Sequence, residues 1–150
     1  VFDIVIINLN ILMAKAFFNC SYISKKNTGI GETALQLMKN LNSPEIIFLS
    51  PIDFKEKNII KISENLSPNK SILSHIRRLL WVQFQIPKLM KKYRVKTFVS
   101  PLPEAPLFGG IKNIVFVHDL IPLRFPKFSF LFLHNLFYFL VFPYLIFDYL

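Results

Sequence analysis

The sequence predicts an α/β protein, a Rossmann-like doubly wound parallel sheet with helices on both faces. Three observations carry that expectation. Short apolar runs recur along the chain: Ile4 to Leu9, Ile46 to Leu49, Thr97 to Val99 and Ile114 to Val117. Each is short for a helix and rich in β-branched or aromatic residues, as strands buried on both faces are. Between them lie stretches of helical spacing, with Ala34, Leu37, Met38 and Leu41 on one face and Ile72, Ile76, Leu79, Leu80 and Phe84 on another. The strands also close abruptly, on Ser50-Pro51, Ser100-Pro101 and His118-Asp119. Alternation of this kind builds a parallel sheet.

The elements follow in order. The run 4–9 reads as the first strand, and residues 10–28 show no clear period. Gly29 and Gly31 lead into the first helix, which Asn42-Ser43-Pro44 stops. The second strand covers 46–50, and a more polar stretch at 59–62 offers a third. Residues 71–94 form the longest helical pattern, and Pro87 inside it is expected to kink or split the helix. A strand at 96–99 follows, then a loop marked by Pro101, Pro103, Pro106, Gly109 and Gly110, then a strand at 113–117.

Composition bounds the class. At 150 residues one domain is expected, with 53% hydrophobic residues to fill a core and only 18% charged. Val1 opens on an apolar strand and Leu150 lies inside an apolar run, so the chain is expected to be an incomplete domain. Cys20 is the single cysteine, which excludes an internal disulfide framework and gives no metal pattern. The net charge is +9, with Lys88, Lys91, Lys92, Arg94 and Lys96 crowded together. Such a face suits anionic lipid or phosphorylated substrates, and equally a solvated helix end. No nucleic-acid motif accompanies it.

Two places can carry chemistry. His118 and Asp119 end a buried strand, and ligands of open α/β sheets sit at the carboxyl ends of strands. The same pair also fits a plain structural role, capping neighbouring backbone. Gly29 and Gly31 open a helix whose unpaired N–H groups suit a phosphate, or they form an ordinary strand-to-helix turn. Trp81 reads as a core anchor between helix and sheet, or as part of a cleft-lining helix.

Three motifs in order bear a family resemblance. His118-Asp119-Leu120-Ile121-Pro122-Leu123 resembles the HDLIPL stretch in the N-terminal domain of family 4 glycosyltransferases, which have the GT-B fold. Gly29-Ile30-Gly31 with the helix after it is similar to that family's glycine loop. Arg77 to Pro87 is similar to its R-x-L-W-E-Q-x-x-L-P helix. Two positions depart from the pattern: Glu32-Thr33 follow the second glycine, where the family commonly has Arg-Tyr, and Val82 replaces a Glu.

The resemblance implies an acceptor-side domain of a retaining glycosyltransferase. It implies a nucleotide-sugar donor as substrate, a glycan or lipid-linked acceptor, no metal and no cofactor. The implied place is the cytoplasmic side of the membrane. His118 would bond a sugar hydroxyl, Asp119 would orient the loop or the imidazole, and Gly29 and Gly31 would admit a substrate closely. The family carries its donor mainly on a C-terminal domain outside these 150 residues, so the chain alone is expected not to transfer sugar.

Residues 128–150 hold ten Phe or Tyr and one formal charge, Asp148. As a helix they would run about 35 Å against a bilayer core of about 30 Å. A buried helix, a membrane-surface helix and a span all fit. A second reading of function follows: a small membrane-attached binding or scaffold protein anchored by 88–96 and 128–150. A third is a nucleotide-binding module unrelated to sugars, against which Ser50-Pro51 stands where an acidic residue would close the second strand.

Overall fold

The computed structural model describes residues 16–24, 29–55, 57–66 and 72–118. Its elements are β1 (Ala16–Asn19), α1 (Gly29–Asn40), β2 (Ile46–Ser50), β3 (Ile59–Lys61), α2 (Ile72–Leu80), α3 (Ile86–Tyr93), β4 (Thr97–Ser100) and β5 (Lys112–Val115). The strands form one parallel sheet in the order β3-β2-β1-β4-β5. The α/β class is as the sequence predicts, and the order is compatible with a Rossmann-like sheet. From β1 the chain winds outward through β2 and β3, then returns to the other side of β1 as β4.

The predicted strands near 46–50, 59–62, 96–99 and 113–117 are present within one or two residues. The predicted strand at 4–9 lies outside the described residues. The central strand, β1, falls instead in the stretch that showed no clear period. The reason is burial on both faces, which erases polar alternation. Ala16 and Phe18 pack under α1 with Ala34, Met38, Ile46 and Phe48. Phe17 points the other way, into a cluster with Leu49, Ile86, Met90 and Phe98 that α3 covers. Trp81 lies partly buried against this second cluster, as a core anchor does. Truncating a buried phenylalanine such as Phe17 or Phe98 costs about 3–5 kcal/mol.

Pro87 does break the long helix, one turn before its own position. Residues Trp81–Gln85 form a π-helical turn between α2 and α3, with the Ile86 N–H bonded to the Trp81 carbonyl. Proline lacks the N–H that would complete the ordinary ladder and crowds the carbonyl four residues earlier, so the wider turn relieves both. The bulge keeps Arg78, Val82, Ile86 and Met90 on the buried side. At the far end of α3, Arg94 takes the left-handed conformation (φ 54°), and Val95 N–H bonds to Met90 O at 2.9 Å.

One buried ion pair ties this helical segment to the loop beyond β4. The Arg78 guanidinium donates to both carboxylate oxygens of Glu104, from Nε at 2.8 Å and from Nη2 at 2.7 Å. Arg78 is 2% exposed and Glu104 0%. Nη2 also donates to His75 Nδ1 at 2.8 Å, which puts that ring's proton on Nε2. Removing either partner leaves an uncompensated buried charge, at about 3–5 kcal/mol. Arg78→Met and Glu104→Met are each expected to lower urea unfolding free energy by that amount. The double change Arg78→Met/Glu104→Met is expected to lose less than the two single losses added together. Additive losses would show that the pair is not coupled.

Candidate functional site

Parallel strands present their carboxyl ends together, and each described interior end is closed by a side chain. Ser50 Oγ accepts from Ile52 N–H at 3.1 Å and donates to Ile52 O at 2.8 Å. Ser100 Oγ accepts from Leu102 N–H at 3.3 Å. Asn19 Oδ1 accepts from Ser21 N–H at 3.1 Å, while Asn19 Nδ2 donates to Ser100 Oγ at 3.4 Å. The Asn19–Ser100 contact crosses from β1 to β4, where the winding of the sheet reverses. Both residues are fully buried. They therefore form the floor of the carboxyl edge rather than groups a ligand meets first.

His118 stands above that floor. The β4–β5 ladder extends through Phe116 N–H to Ser100 O at 2.9 Å, and the chain then delivers the imidazole to the end of β4. His118 Nε2 donates to the Pro101 carbonyl at 2.7 Å. A carbonyl only accepts, so Nε2 carries a proton, and in the neutral ring Nδ1 is then the acceptor. The residue is exposed. The contact is of the kind that the structural reading expects, a side chain capping neighbouring backbone. Asp119 lies outside the described residues.

Gly29 and Gly31 occupy the first turn of α1 rather than a loop before it. Gly31 is buried, whereas a side chain built at Gly29 would meet none of the described residues within 4 Å. Glu32 and Thr33 are exposed; Glu32 accepts from Gln36 Nε2 at 2.7 Å, and Thr33 Oγ1 donates to Gly29 O at 3.0 Å. A carboxylate in the first turn satisfies the helix dipole and repels a phosphate.

Sequence reasoning missed a buried polar cluster. Arg78 and Glu104 are buried as a pair, Tyr22 is buried close enough for both charges to act on it, and the Tyr22 hydroxyl and Arg78 Nη1 have no hydrogen-bond partner among the described residues. Burial pushes the Tyr22 phenol well above its ordinary range, with the Glu104 charge adding and the Arg78 charge opposing. Glu104 sits in a Pro-rich segment that reads as solvated loop, and nothing local marks it as buried. Nothing local marks Arg78 either: the apolar face read from the sequence was Ile72, Ile76, Leu79, Leu80 and Phe84, whereas the structure exposes Leu80 and Phe84 and buries Arg78, Val82, Ile86 and Met90. Among the described residues no group of three or more His, Cys, Asp or Glu could hold a metal ion.

Comparison with protein-family models, with curated proteins and with solved structures finds no match for this chain.

Cys20 follows β1 directly, fully buried, with its sulfur 3.9 Å from Met38 Sδ. Burial pushes its thiol far above the ordinary 9.0. The unfolded chain therefore releases this proton at lower pH than the folded one. The stability that comes from keeping the thiol neutral is complete below about pH 8.5 and declines as pH rises above it. Urea unfolding between pH 8 and 10 is expected to show this decline, at up to about 1.4 kcal/mol per pH unit from this group. Cys20→Ala is expected to flatten it, and an aromatic disulfide reagent is expected to label Cys20 only after unfolding. Prompt labelling of the native chain would contradict the burial.

Proposed function

We propose that this chain is the acceptor-side domain of a glycosyltransferase that uses a nucleotide-sugar donor and a glycan or lipid-linked acceptor. The reading begins from the three ordered motifs and takes the sheet as the N-terminal half of a GT-B fold. Its main support is the position of His118. The imidazole stands at the carboxyl edge, anchored to Pro101 O through Nε2, with Nδ1 left to accept from a sugar hydroxyl. Gly29, with no described residue within 4 Å of its Cβ position, is assigned to the same edge because α1 follows β1 in the chain.

The chemistry assigned to this half is positioning. A hydrogen bond that tightens as the acceptor reaches the transition state contributes to rate. Glu32 disfavours pyrophosphate at the start of α1, so the nucleotide belongs mainly to a second domain. The reading needs no metal in this half. Asp119 keeps the role of orienting the His118 loop.

Two measurements test the proposal. Nuclear magnetic resonance of the chain titrated with neutral oligosaccharides is expected to move the amides of Gly29 to Gly31, Leu102 and His118, and His118→Ala is expected to abolish those shifts. Joined to a donor-side domain of the same family, the chain is expected to transfer labelled sugar, and His118→Ala to lower transfer roughly a hundredfold. Melting is expected to move by no more than about 4 °C, equivalent to about 1 kcal/mol in a domain of this size. A folded and fully active His118→Ala protein would remove His118 from the site.

A further inference from the structure

We propose that the outer face of α2, the π turn and α3, together with the Phe108 loop, is a docking surface for anionic lipid bilayers. The face is defined by what lies opposite it. Arg78, Val82, Ile86 and Met90 point into the core, and Leu80, Phe84, Lys88 and Lys92 fall midway between them, on the side facing solvent. Leu73 and Arg77 continue the same exposed side at its start, and Lys91 at its end. Leu73 is 71% exposed, Leu80 54% and Phe84 61%. An ordinary solvated helix face does not carry three large apolar side chains at that exposure.

A neighbouring loop adds to it. Gln83 Nε2 donates to Ala105 O at 2.8 Å, and Gln83 Oε1 accepts from Leu107 N–H at 3.0 Å. Gly109 and Gly110, both at positive φ, turn the chain back, and the Cβ position of Gly109 lies 3.7 Å from Pro87 Cβ. The loop is thus held against the helix at Gln83 and Pro87. Its tip is Phe108, 74% exposed. A fixed loop that presents an aromatic ring to water gains by burying it in an acyl boundary.

The charge selects the partner. From Asn65 to Pro103 the sequence contains no Asp or Glu. Arg77, Lys88, Lys91, Lys92, Arg94 and Lys96 are exposed. Basic and large apolar side chains together on one helical side form the pattern of a helix lying in a membrane interface. The exposed Leu73 and Leu80 favour lipid over nucleic acid, since aliphatic side chains gain little from phosphates or base edges. The surface is built from described helices, so it differs from anchoring by residues 128–150. It does not depend on the sugar-transfer reading.

Flotation of the full 150-residue chain with vesicles tests it. The chain is expected to float with phosphatidylcholine vesicles containing phosphatidylglycerol and to stay behind with phosphatidylcholine alone. Phe84→Ser/Phe108→Ser and Lys88→Glu/Lys91→Glu are each expected to weaken binding at least tenfold, with circular dichroism unchanged. Lys39→Glu/Lys55→Glu, the same charge change away from this face, is expected to change it less than twofold. Four results would overturn the proposal. One is no binding to anionic vesicles; another is binding that neither test variant reduces, which assigns it to other residues such as 128–150. The third is an equal loss in the Lys39/Lys55 control, which reduces the effect to net charge. The last is a dimer that Phe84→Ser/Phe108→Ser dissociates, which assigns the face to a second copy.

Discussion

The bidentate contact between Arg78 and Glu104 is the constraint on which the right-hand half of the sheet is built. Two fully buried ionic groups satisfy each other only in one geometry. That geometry fixes the rotation of α2 about its axis and the path of the chain after β4. Once α2 is set, Gln83 meets Ala105 O and Leu107 N–H, and the loop to β5 is held at a second place. With that loop held, β5 pairs with β4 in register and the chain returns His118 to Pro101 O. A single buried charge pair thus reaches the carboxyl edge through three further contacts. Hydrophobic burial supplies most of the stability, but it does not choose among rotations of an apolar helix on an apolar sheet.

Much of the sheet was legible because its strands announce their ends. Ser50-Pro51 and Ser100-Pro101 look like punctuation in the sequence, and both prove to be side-chain caps at carboxyl ends. Pro87 was legible as a break, though not as a π turn, since a proline's missing N–H and crowding are relieved equally by a kink, a split or a wider turn. β1 was not legible. Its four residues carry no alternation, and Asn19 at its end reads as a loop residue until the partner hydroxyl of Ser100 is known. Long-range partners of this kind have no local signature. Glu104 is the clearest case: proline neighbours suggest exposure, and only the arginine 26 positions earlier explains its burial.

The candidate residues were named from the sequence, and their surroundings needed the structure. His118 bonds to the residue that follows β4, and Gly29 and Gly31 lie in the first turn of α1. The sequence could not say that the imidazole already uses one nitrogen on backbone. It also could not say that the polar groups nearest the sheet, Asn19 and Ser100, bond each other and so are not offered to a ligand.

The direction of the chain links the two proposed surfaces. A crossover helix between parallel strands runs opposite to them, so α2 begins near the carboxyl edge and α3 ends near the amino edge. The exposed apolar residues Leu73, Leu80 and Phe84 therefore occupy the half nearer His118, while Lys88, Lys91, Lys92 and Arg94 occupy the far half. On the proposed lipid surface, apolar side chains enter the boundary and cations stay with the headgroups. The apolar half would then sit deeper than the basic half, tilting the carboxyl edge toward the membrane. A soluble glycan acceptor gains nothing from that tilt. An acceptor carried on a lipid does, because its sugar would already stand at the height of the His118 imidazole. The two surfaces together therefore favour the lipid-linked acceptor over the free glycan within the proposed function.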